Sequence, residues 1–331
     1  MGHRSRHAPH RGSLGYRPRK RASEPVPRVR TWVLPGNGGL AGLPAYKAAM
    51  GHVVFTETRK ASPNLGREVG EAYTLLEIPP MKAVAVRLYL AGKVVGETWA
   101  ELDQQTKDLL KRRTSSGRGV RPEELKDIEA DQVRVILATD PAKTGLSKKR
   151  PDILEIPVDI HDPKKAVDYG LSLLGKDLNY GQDVFQNFKP GSAVDVISIS
   201  RGKGFGGPVA RFGLKLLPHK SRKTKRGPGA TGPQRPGVVP STVARGGQMG
   251  YHHRVDHNKK VFFSTSAAEL KIPGGLKHYG LPRSTLLAIS GSVPGTPKRL
   301  VLLRVSVKGK SIEPPSIAYT SVSRDEQRHS S

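Results

Sequence analysis

Apolar and polar residues alternate along several short stretches of the chain. Between residues 82 and 90, Val84, Val86, Leu88 and Leu90 alternate with smaller or more polar residues. A period of two is typical of β-strands that bury one face. Similar apolar runs, separated by turn residues, predict further strands at Tyr46–Phe55, Ala72–Ile78, Ala193–Ser200, Val261–Phe263, Thr285–Ile289, Leu300–Val307 and Ile317–Val322.

Helical patterns are concentrated between residues 97 and 185. Proline opens two of them, as is usual in a first helical turn, where its missing N–H has no partner to lose. The predicted helices are Glu101–Arg113, Glu123–Ala130 and Lys164–Leu174, with strands between them at Val133–Ala138 and Ile153–Val158. This stretch holds seventeen acidic and fifteen basic residues, so it is more acidic than the rest of the chain. We interpret it as a solvent-facing α/β insertion.

The order of these elements predicts one β-rich body that is interrupted twice. Predicted strands flank both the insertion and a long basic stretch, which fits a single body better than two domains in series. Closure of the sheet into a barrel would remove exposed edges, but the pattern alone leaves closure open. The predicted fold is mixed α/β and rich in β-structure, with an extended basic arm 1–44, a body formed by 45–96, 186–200 and 261–331, the α/β insertion 97–185, and a long basic internal loop 201–260.

Two segments supply most of the formal net charge of +28. Residues 1–30 contain nine Lys or Arg and one acid, and residues 200–260 contain fourteen Lys or Arg and one acid, so their net charges of +8 and +13 make up 21 of the 28. From Val196 through Val255 there is no Asp or Glu. Positive charges at this density repel one another and require a counter-charge. A nucleic acid, with its closely spaced phosphates, is the simplest partner that supplies it.

The composition of the basic segment favours folded RNA. Its glycines let backbone N–H groups approach phosphates, and its prolines keep the chain extended and lower the cost of ordering it. A solvated tail is the simpler alternative, but this segment is internal and returns to a predicted strand. Aromatic residues are sparse, which favours recognition by shape and phosphate contacts over base stacking. No helix-turn-helix or zinc-finger pattern points to duplex DNA.

Other features of the sequence exclude several classes of protein. The chain has no Cys, so disulfides and thiolate metal sites are excluded. Its first residues lack the apolar core of a secretory signal, and no apolar run approaches the ~20 residues that span a bilayer. We therefore expect a cytoplasmic protein with no membrane partner.

A glycine motif suggests a second class of function. Residues 202–207 satisfy G-x-G-x-x-G directly after a predicted strand, as in dinucleotide-binding folds. Such folds need a helix to open there, and Gly213 and Pro218 leave little room for one. They also need an acidic residue about 20 positions later, and the first acid is Asp256. A nicotinamide-dependent oxidoreductase stays open as an alternative, while a turn against RNA fits the motif better.

A histidine-rich motif raises the possibility of a metal site. His252, His253 and His257 lie in HHRVDH, which resembles an inverted zinc-peptidase motif except that Asp256 stands where glutamate is used. Nearby cations such as Arg254 would oppose a divalent ion. We expect these histidines to contact phosphates or bases, and we expect no metal, no cofactor, no small-molecule substrate and no catalytic residue. An RNA-modifying enzyme, or another RNA-binding factor, is a further alternative.

Six motifs spread along the chain resemble one known family in its order. They are RGSLGYRPRKRA (11–22), YKAAMGHVV (46–54), IPPMKAVAVRLY (78–89), RGKGFGGPVARFG (201–213), VARGGQMGYHHRVDHNKK (243–260) and GSVPGTPKRLVLLR (291–304). With them, almost the whole chain resembles the L-three family of large-subunit ribosomal proteins, in its archaeal and eukaryotic type.

This resemblance implies a fold and a function. Family members have a β-barrel body of the translation-protein type, an α/β insertion, and an arm and central loop that run into ribosomal RNA. The body lies near the 3′ end of the large-subunit rRNA and the loop reaches toward the peptidyl transferase centre. Members take part in early subunit assembly beside neighbouring ribosomal proteins, and they are not known as catalysts.

By motif, the resemblance implies a set of rRNA-binding residues in the arm, the loop and the strand that follows. They are Arg4, Arg6, Arg11, Arg17, Arg19, Lys20, Arg21, Arg201, Lys203, Arg211, Lys215, Lys220, Arg222, Lys223, Lys225, Arg226, Gln234, Arg235, Arg245, Gln248, Tyr251, His252, His253, Arg254, Lys259 and Lys260. Close approach of backbone to RNA is implied for Gly202, Gly204, Gly246, Gly247 and Gly250.

The sequence departs from the family pattern at the predicted loop tip. Archaeal and eukaryotic relatives usually carry Trp in a G-x-W-x-P setting there, and this chain has Gln234 between Pro233 and Arg235. An amide hydrogen-bonds to RNA edges, whereas an indole stacks on bases. A function that depends on an aromatic tip is therefore not expected of this chain.

Overall fold

The alternating apolar segments form the strands of a computed structural model. It describes residues 7–9, 11–13, 16, 18–59, 61–101, 108, 110, 119–221, 224–235, 237–269, 274–309 and 313–321. The chain divides into two units: a larger one of Pro25–Ser198 and Arg254–Ser331, and a smaller one of Met1–Glu24 and Ile199–His253.

The strands and helices are short and separated by turns. In chain order the strands are β1 (Gly42–Thr56), β2 (Glu68–Glu77), β3 (Met81–Leu90), β4 (Lys93–Trp99), β5 (Gln132–Thr139), β6 (Ile153–Pro157), β7 (Asp177–Leu178), β8 (Ala193–Ile199), β9 (Phe205–Gly206), β10 (Gly247–Gln248), β11 (His253–Thr265), β12 (Leu286–Ser290), β13 (Leu300–Val305) and β14 (Ser316–Ser321). The α-helices are α1 (Pro122–Lys126), α2 (Pro163–Leu173) and α3 (Pro208–Phe212), and 3₁₀ turns occupy Pro141–Lys143 and Asp183–Phe188.

A seven-stranded sheet forms the main part of the larger unit. Its order is β13, β8, β11, β12, β2, β1, β14, and β1 also pairs with β13. The long strand β1 reaches both because its first residues, Gly42–Tyr46, pair with β13 and its last, His52–Thr56, pair with β14. Strand β2 runs antiparallel along the other edge of β1.

The core of this sheet is made of large side chains from several strands. Tyr46, Leu75, Phe262, Leu287 and Leu302 are almost completely buried. Burying each such side chain contributes about 1.5–3 kcal/mol relative to leaving it in water. These residues lie in the apolar runs of the sequence, and strands β8 and β12 are buried along their whole length.

A five-stranded sheet carries the acidic part of the sequence. Its order is β4, β3, β5, β6, with β7 pairing to β3. Helix α2 begins at Pro163, and the carboxylate of Asp162 caps it by accepting the N–H of Lys164 at 3.1 Å. The buried residues of α2 recur at helical spacing, and Gly170 among them lies against Val86 and Val133 of the sheet.

Most of the predicted elements are observed, with differences in detail. Each predicted strand overlaps an observed one. The predicted helix 123–130 is shorter, ending at Lys126, and β4 is a strand that the sequence pattern did not predict. Most of the predicted helix 101–113 lies outside the described residues. Among the helices of the described residues, none is long and apolar enough to cross a membrane.

The smaller unit has a short helix and a small apolar cluster. Strands β9 and β10 pair antiparallel, and Phe212, Leu214 and Ala244 form a buried cluster with Val209 against it. The sequence predicted little room for a helix after Pro208, and helix α3 there is only five residues long. Five residues fit because Gly213 ends the helix in the left-handed conformation, with φ of 70°.

Candidate nucleic-acid interface

The basic loop begins and ends in a backbone ladder, which we call the neck and define as residues 200–206 and 247–252. Ser200 N–H donates to the His252 carbonyl at 2.9 Å, and Lys203 N–H donates to the Met249 carbonyl at 2.9 Å. Met249 N–H returns a bond to the Gly204 carbonyl at 2.8 Å. The two ends of the loop are thus held together by hydrogen bonds of the protein itself.

Gly250 is required by this ladder. It has φ of 70°, and a Cβ at this position would lie 2.1 Å from the carbonyl oxygen of Arg201. The next residue, Tyr251, also has positive φ, 53°, although it is not glycine. The left-handed conformation costs a residue with a side chain about 1–2 kcal/mol of conformational free energy. The other contacts of the neck therefore hold Tyr251 in a conformation that it does not prefer by itself.

The basic arm binds along the returning side of the neck. Ala22 N–H donates to the Tyr251 carbonyl at 2.8 Å, and the Arg21 guanidinium lies 4.9 Å from the centre of the Tyr251 ring. Nδ1 of His252 lies 2.9 Å from the Lys20 carbonyl oxygen. Because a carbonyl only accepts, Nδ1 of His252 is the donor in this contact.

Arginine side chains fold the arm onto itself and onto α3. Arg19 donates to the carbonyl oxygens of Arg11 and Ser13 at 3.0 and 2.7 Å, and it lies 4.8 Å from the centre of the Phe212 ring. Arg11 in turn donates to the Ala210 carbonyl at 2.5 Å. These two arginines, predicted to contact RNA, therefore also bind backbone of their own unit.

Arg211 joins helix α3 to the returning strand. Its Nε donates to the Gln248 carbonyl at 3.1 Å and its Nη1 to the Arg245 carbonyl at 3.2 Å. The Gln248 amide donates to the Gly250 carbonyl at 3.0 Å. Gln248 and Arg211, also predicted to contact RNA, thus hold polar backbone atoms of the neck in place.

The other described cations of the smaller unit point into solvent. Those with exposed side chains that take no part in the contacts above are Lys20, Arg201, Lys203, Lys215, Lys220, Lys225, Arg226, Arg235 and Arg245. Since the segment from Val196 to Val255 contains no acid, their positive potentials add. The result is a continuous basic stretch on a unit that is folded by hydrogen bonds and by one small apolar cluster.

The outer part of the loop has few internal bonds among the described residues. Leu217 N–H donates to the Lys225 carbonyl at 3.0 Å, which folds the chain back on itself. Gln234 and Arg235 are exposed in a turn beyond it. Five predicted residues lie outside the described residues: Arg4, Arg6, Arg17, Arg222 and Lys223.

The last predicted residues follow the neck along β11. His253 and Arg254 are exposed, and Lys259 and Lys260 are half-buried. Burial lowers the pKa of Lys260, and Arg59 adds to this while Glu57 opposes it. His257 of the HHRVDH motif lies with Nδ1 2.9 Å from the buried carboxylate of Asp195. Within the described parts of the chain, no three acidic or histidine side chains gather as they would around a metal ion.

The predicted glycines fall into two groups. Gly246, Gly247 and Gly250 lie against Phe205, Arg211 and Arg201 of the same unit, so an added Cβ would be 3.0, 2.8 and 2.1 Å from them. Gly204 has no neighbour within 4 Å of such a Cβ, and Gly202 meets only Tyr251 at 3.6 Å. At Gly250 the added Cβ would clash with backbone and at Gly246 and Gly247 it would meet side chains, whereas Gly204 and Gly202 have space around them.

Phe205 is a surface feature that the sequence analysis did not single out. Its side chain is 82% exposed at the start of β9. The sequence does not predict this exposure, because a phenylalanine among glycines after a strand is equally compatible with a core position.

The chain is similar to proteins of one known family along almost its whole length. The family model described as Ribosomal protein L3 matches residues 1–317. A protein of Pyrobaculum calidifontis named Large ribosomal subunit protein uL3 is 41% identical over 93% of this chain and 94% of its own length. Proteins of the same name from Caldivirga maquilingensis and Methanocaldococcus jannaschii are 39% and 38% identical, over 96% and 95% of this chain and 96% of their own lengths.

Proposed function

Because this chain belongs to the Ribosomal protein L3 family, we propose that it is a structural component of the large ribosomal subunit that binds large-subunit rRNA through its smaller unit. The observation that carries this proposal is the row of exposed cations on a segment without acids. Each cation that neutralises a phosphate releases condensed counterions, which drives binding and makes it depend on salt.

The folded neck and the bound arm support this proposal because they lower the cost of binding. A basic segment that is ordered only on RNA loses conformational entropy at that moment. Here the ladder at Lys203 and Met249, and the bond from Ala22 to Tyr251, already fix the backbone near Lys20, Arg201 and Lys203. When cations are ordered before binding, less of their attraction to phosphate is offset by lost conformational entropy, so the affinity is higher.

The proposal extends to the larger unit. The pairing of β1 with both β2 and β13 supports a sheet that closes into a barrel, with β14 attached outside the cycle. Such a body would stay at the subunit surface while the arm and loop enter the rRNA. We place the boundaries of the arm, body, insertion and loop as the sequence predicts them.

In this function the protein supplies charge and shape instead of catalysis. The arm and loop screen phosphates of RNA helices that come together during early assembly, and they help to organise RNA near the peptidyl transferase centre. Its partners are rRNA and neighbouring large-subunit proteins in the cytoplasm.

Sedimentation of a native lysate in low and high salt tests this function. We expect the chain to migrate with the large subunit in both conditions, because an arm and loop threaded through folded RNA leave it slowly even when salt weakens their phosphate contacts. A chain that stays at the top of the gradient in both salts would contradict a ribosomal function.

The exposed amide at the loop tip has its own test. We infer that Gln234 hydrogen-bonds RNA edges, since its side chain is exposed and flanked by Arg235. Gln234→Ala is then expected to slow subunit assembly or peptidyl transfer. Unchanged rates of both would remove this function from the tip.

A further inference from the structure

Phe205 is a large apolar side chain left almost entirely in water. Its exposed fraction, 82%, is higher than that of Leu216 or Val238 in the same unit. Single exposed apolar residues are common on protein surfaces, so exposure alone does not indicate a site. Three further observations distinguish this ring.

The backbone beneath the ring is fixed. Phe205 pairs with Gln248 in the short ladder of β9 and β10, and the bonds between Gly204, Met249 and Lys203 continue the ladder on one side. The direction in which the side chain leaves the backbone is therefore set by the neck, and binding does not have to order it.

A glycine lies where the ring meets the rest of the unit. A Cβ on Gly246 would be 3.0 Å from Cζ and 3.1 Å from Cε1 of Phe205. The tip of the ring thus reaches the backbone at Gly246 because that residue has no side chain. A larger residue would displace the ring, which is otherwise open to a partner.

Cations stand on both sides of this contact in the sequence. Lys203 precedes the ring by two residues, Arg245 directly precedes Gly246, and both side chains are exposed. An aromatic face beside positive charges complements a nucleotide, which has a flat base and an anionic phosphate. An acidic peptide would match the charges but offers no flat group for the ring.

We propose that Phe205, Lys203 and Arg245 form a binding site for one unpaired RNA nucleotide. The base stacks on the phenyl ring, and the cations contact the adjoining phosphates. This inference rests on the proposed function, because it requires that RNA reaches the neck. It also modifies the expectation from composition, since one aromatic group adds base stacking to recognition by phosphate contacts. Every base has a flat face, so the site selects an unpaired nucleotide rather than a sequence.

Two oligomers of equal charge separate stacking from electrostatics. The full chain is titrated at fixed salt with a short oligoadenylate and with an abasic ribose-phosphate oligomer of the same length. We expect the wild-type chain to prefer oligoadenylate by roughly 5- to 100-fold, as one stacked base contributes. Phe205→Ala should lose most of this preference and bind the abasic oligomer as the wild type does.

Three further variants sharpen the test. Phe205→Trp should keep the preference because it keeps a flat ring, and Phe205→Leu should lose it although it stays apolar. Leu216→Ala removes another exposed apolar side chain of the unit and should behave as wild type. A loss of preference in the Leu216 variant as large as that in Phe205→Ala would contradict a specific site.

The outcomes distinguish this inference from the function on which it rests. Salt-dependent binding of both oligomers, with the same preference in the wild type and in Phe205→Ala, would overturn the nucleotide site and leave the proposed function standing. An absence of salt-dependent binding to either oligomer would overturn the proposed function and the site together.

Discussion

Asp195 and Arg304 stand opposite each other on the neighbouring antiparallel strands β8 and β13 and form a buried ion pair. Nε and Nη2 of Arg304 donate to Oδ2 of Asp195 at 3.2 and 3.0 Å, and Ser306 and the Asn258 N–H donate to Oδ1 at 3.0 and 2.9 Å. Burial alone would raise the pKa of Asp195, but these bonds and that from His257 outweigh it and lower the pKa.

Substitution of Asp195 by Asn should strongly destabilise the larger unit. The change leaves the Arg304 guanidinium, whose side chain is 8% exposed, without its counter-charge. Loss of one partner of a buried pair costs about 3–5 kcal/mol in the free energy of unfolding. Urea denaturation followed by circular dichroism measures it. The matched control is Asp168→Asn, at the exposed pair with Lys126, where we expect about 0–1 kcal/mol. Equal losses in the two variants would contradict the importance of burial.

Gly250→Ala and Gly204→Ala should differ although both glycines have positive φ, 70° and 65°. Both substitutions add the backbone strain of that region, about 1–2 kcal/mol. Only at Gly250 does the new Cβ also meet a carbonyl, that of Arg201 at 2.1 Å. We expect Gly250→Ala to speed hydrogen exchange of the Tyr251 and Lys203 amides, while Gly204→Ala leaves them protected. Unchanged protection in the Gly250 variant would show that the neck tolerates the displacement.

Arg19 and Lys20 are neighbours that should contribute to RNA binding in different ways. Lys20→Ala removes an exposed charge, so the slope of log Kd against log salt should fall by about 0.7–0.9 for one phosphate contact. Arg19→Lys keeps the charge but removes the planar fork whose two nitrogens bond the Arg11 and Ser13 carbonyls. It should weaken binding with little change of slope, because the arm is then less ordered. Titrations of large-subunit rRNA at several salt concentrations measure both effects. Identical behaviour of the two variants would contradict the separate functions of these residues.

Stability of the larger unit should depend on acid through Glu57. Its buried carboxylate accepts two side-chain bonds and one backbone bond from Arg59, which lower its pKa to about 2 despite burial. In the unfolded chain the pKa is about 4.3. The stabilisation is therefore complete above that value and is lost as pH falls toward 2. The difference in unfolding free energy between the wild type and Glu57→Gln should shrink over this interval. Glu68→Gln, at an exposed carboxylate, is the matched control for removal of one acidic charge.

The sequence predicted the strands because their signal is local. Alternation in the stretch 82–90 marks β3 without knowledge of its neighbours. It could not predict that Arg304 faces Asp195, because strand register depends on residues distant in the chain. Nor could it separate Arg19 and Arg211, which bind backbone, from Lys20 and Lys203, which are exposed. All four are cations in basic segments of the sequence. Only their contacts in the folded smaller unit distinguish them.

The bond between Ala22 and Tyr251 has a consequence for how this protein is made. The arm is synthesised early, but its binding residues are translated 229 positions later. At roughly 5–20 residues per second, about 10–50 s pass between the synthesis of the arm and the synthesis of Tyr251 and His252. During that interval the cations of the arm lack the neck that orients them. The time for which the arm lacks its binding residues is therefore set by translation speed rather than by the folding rate.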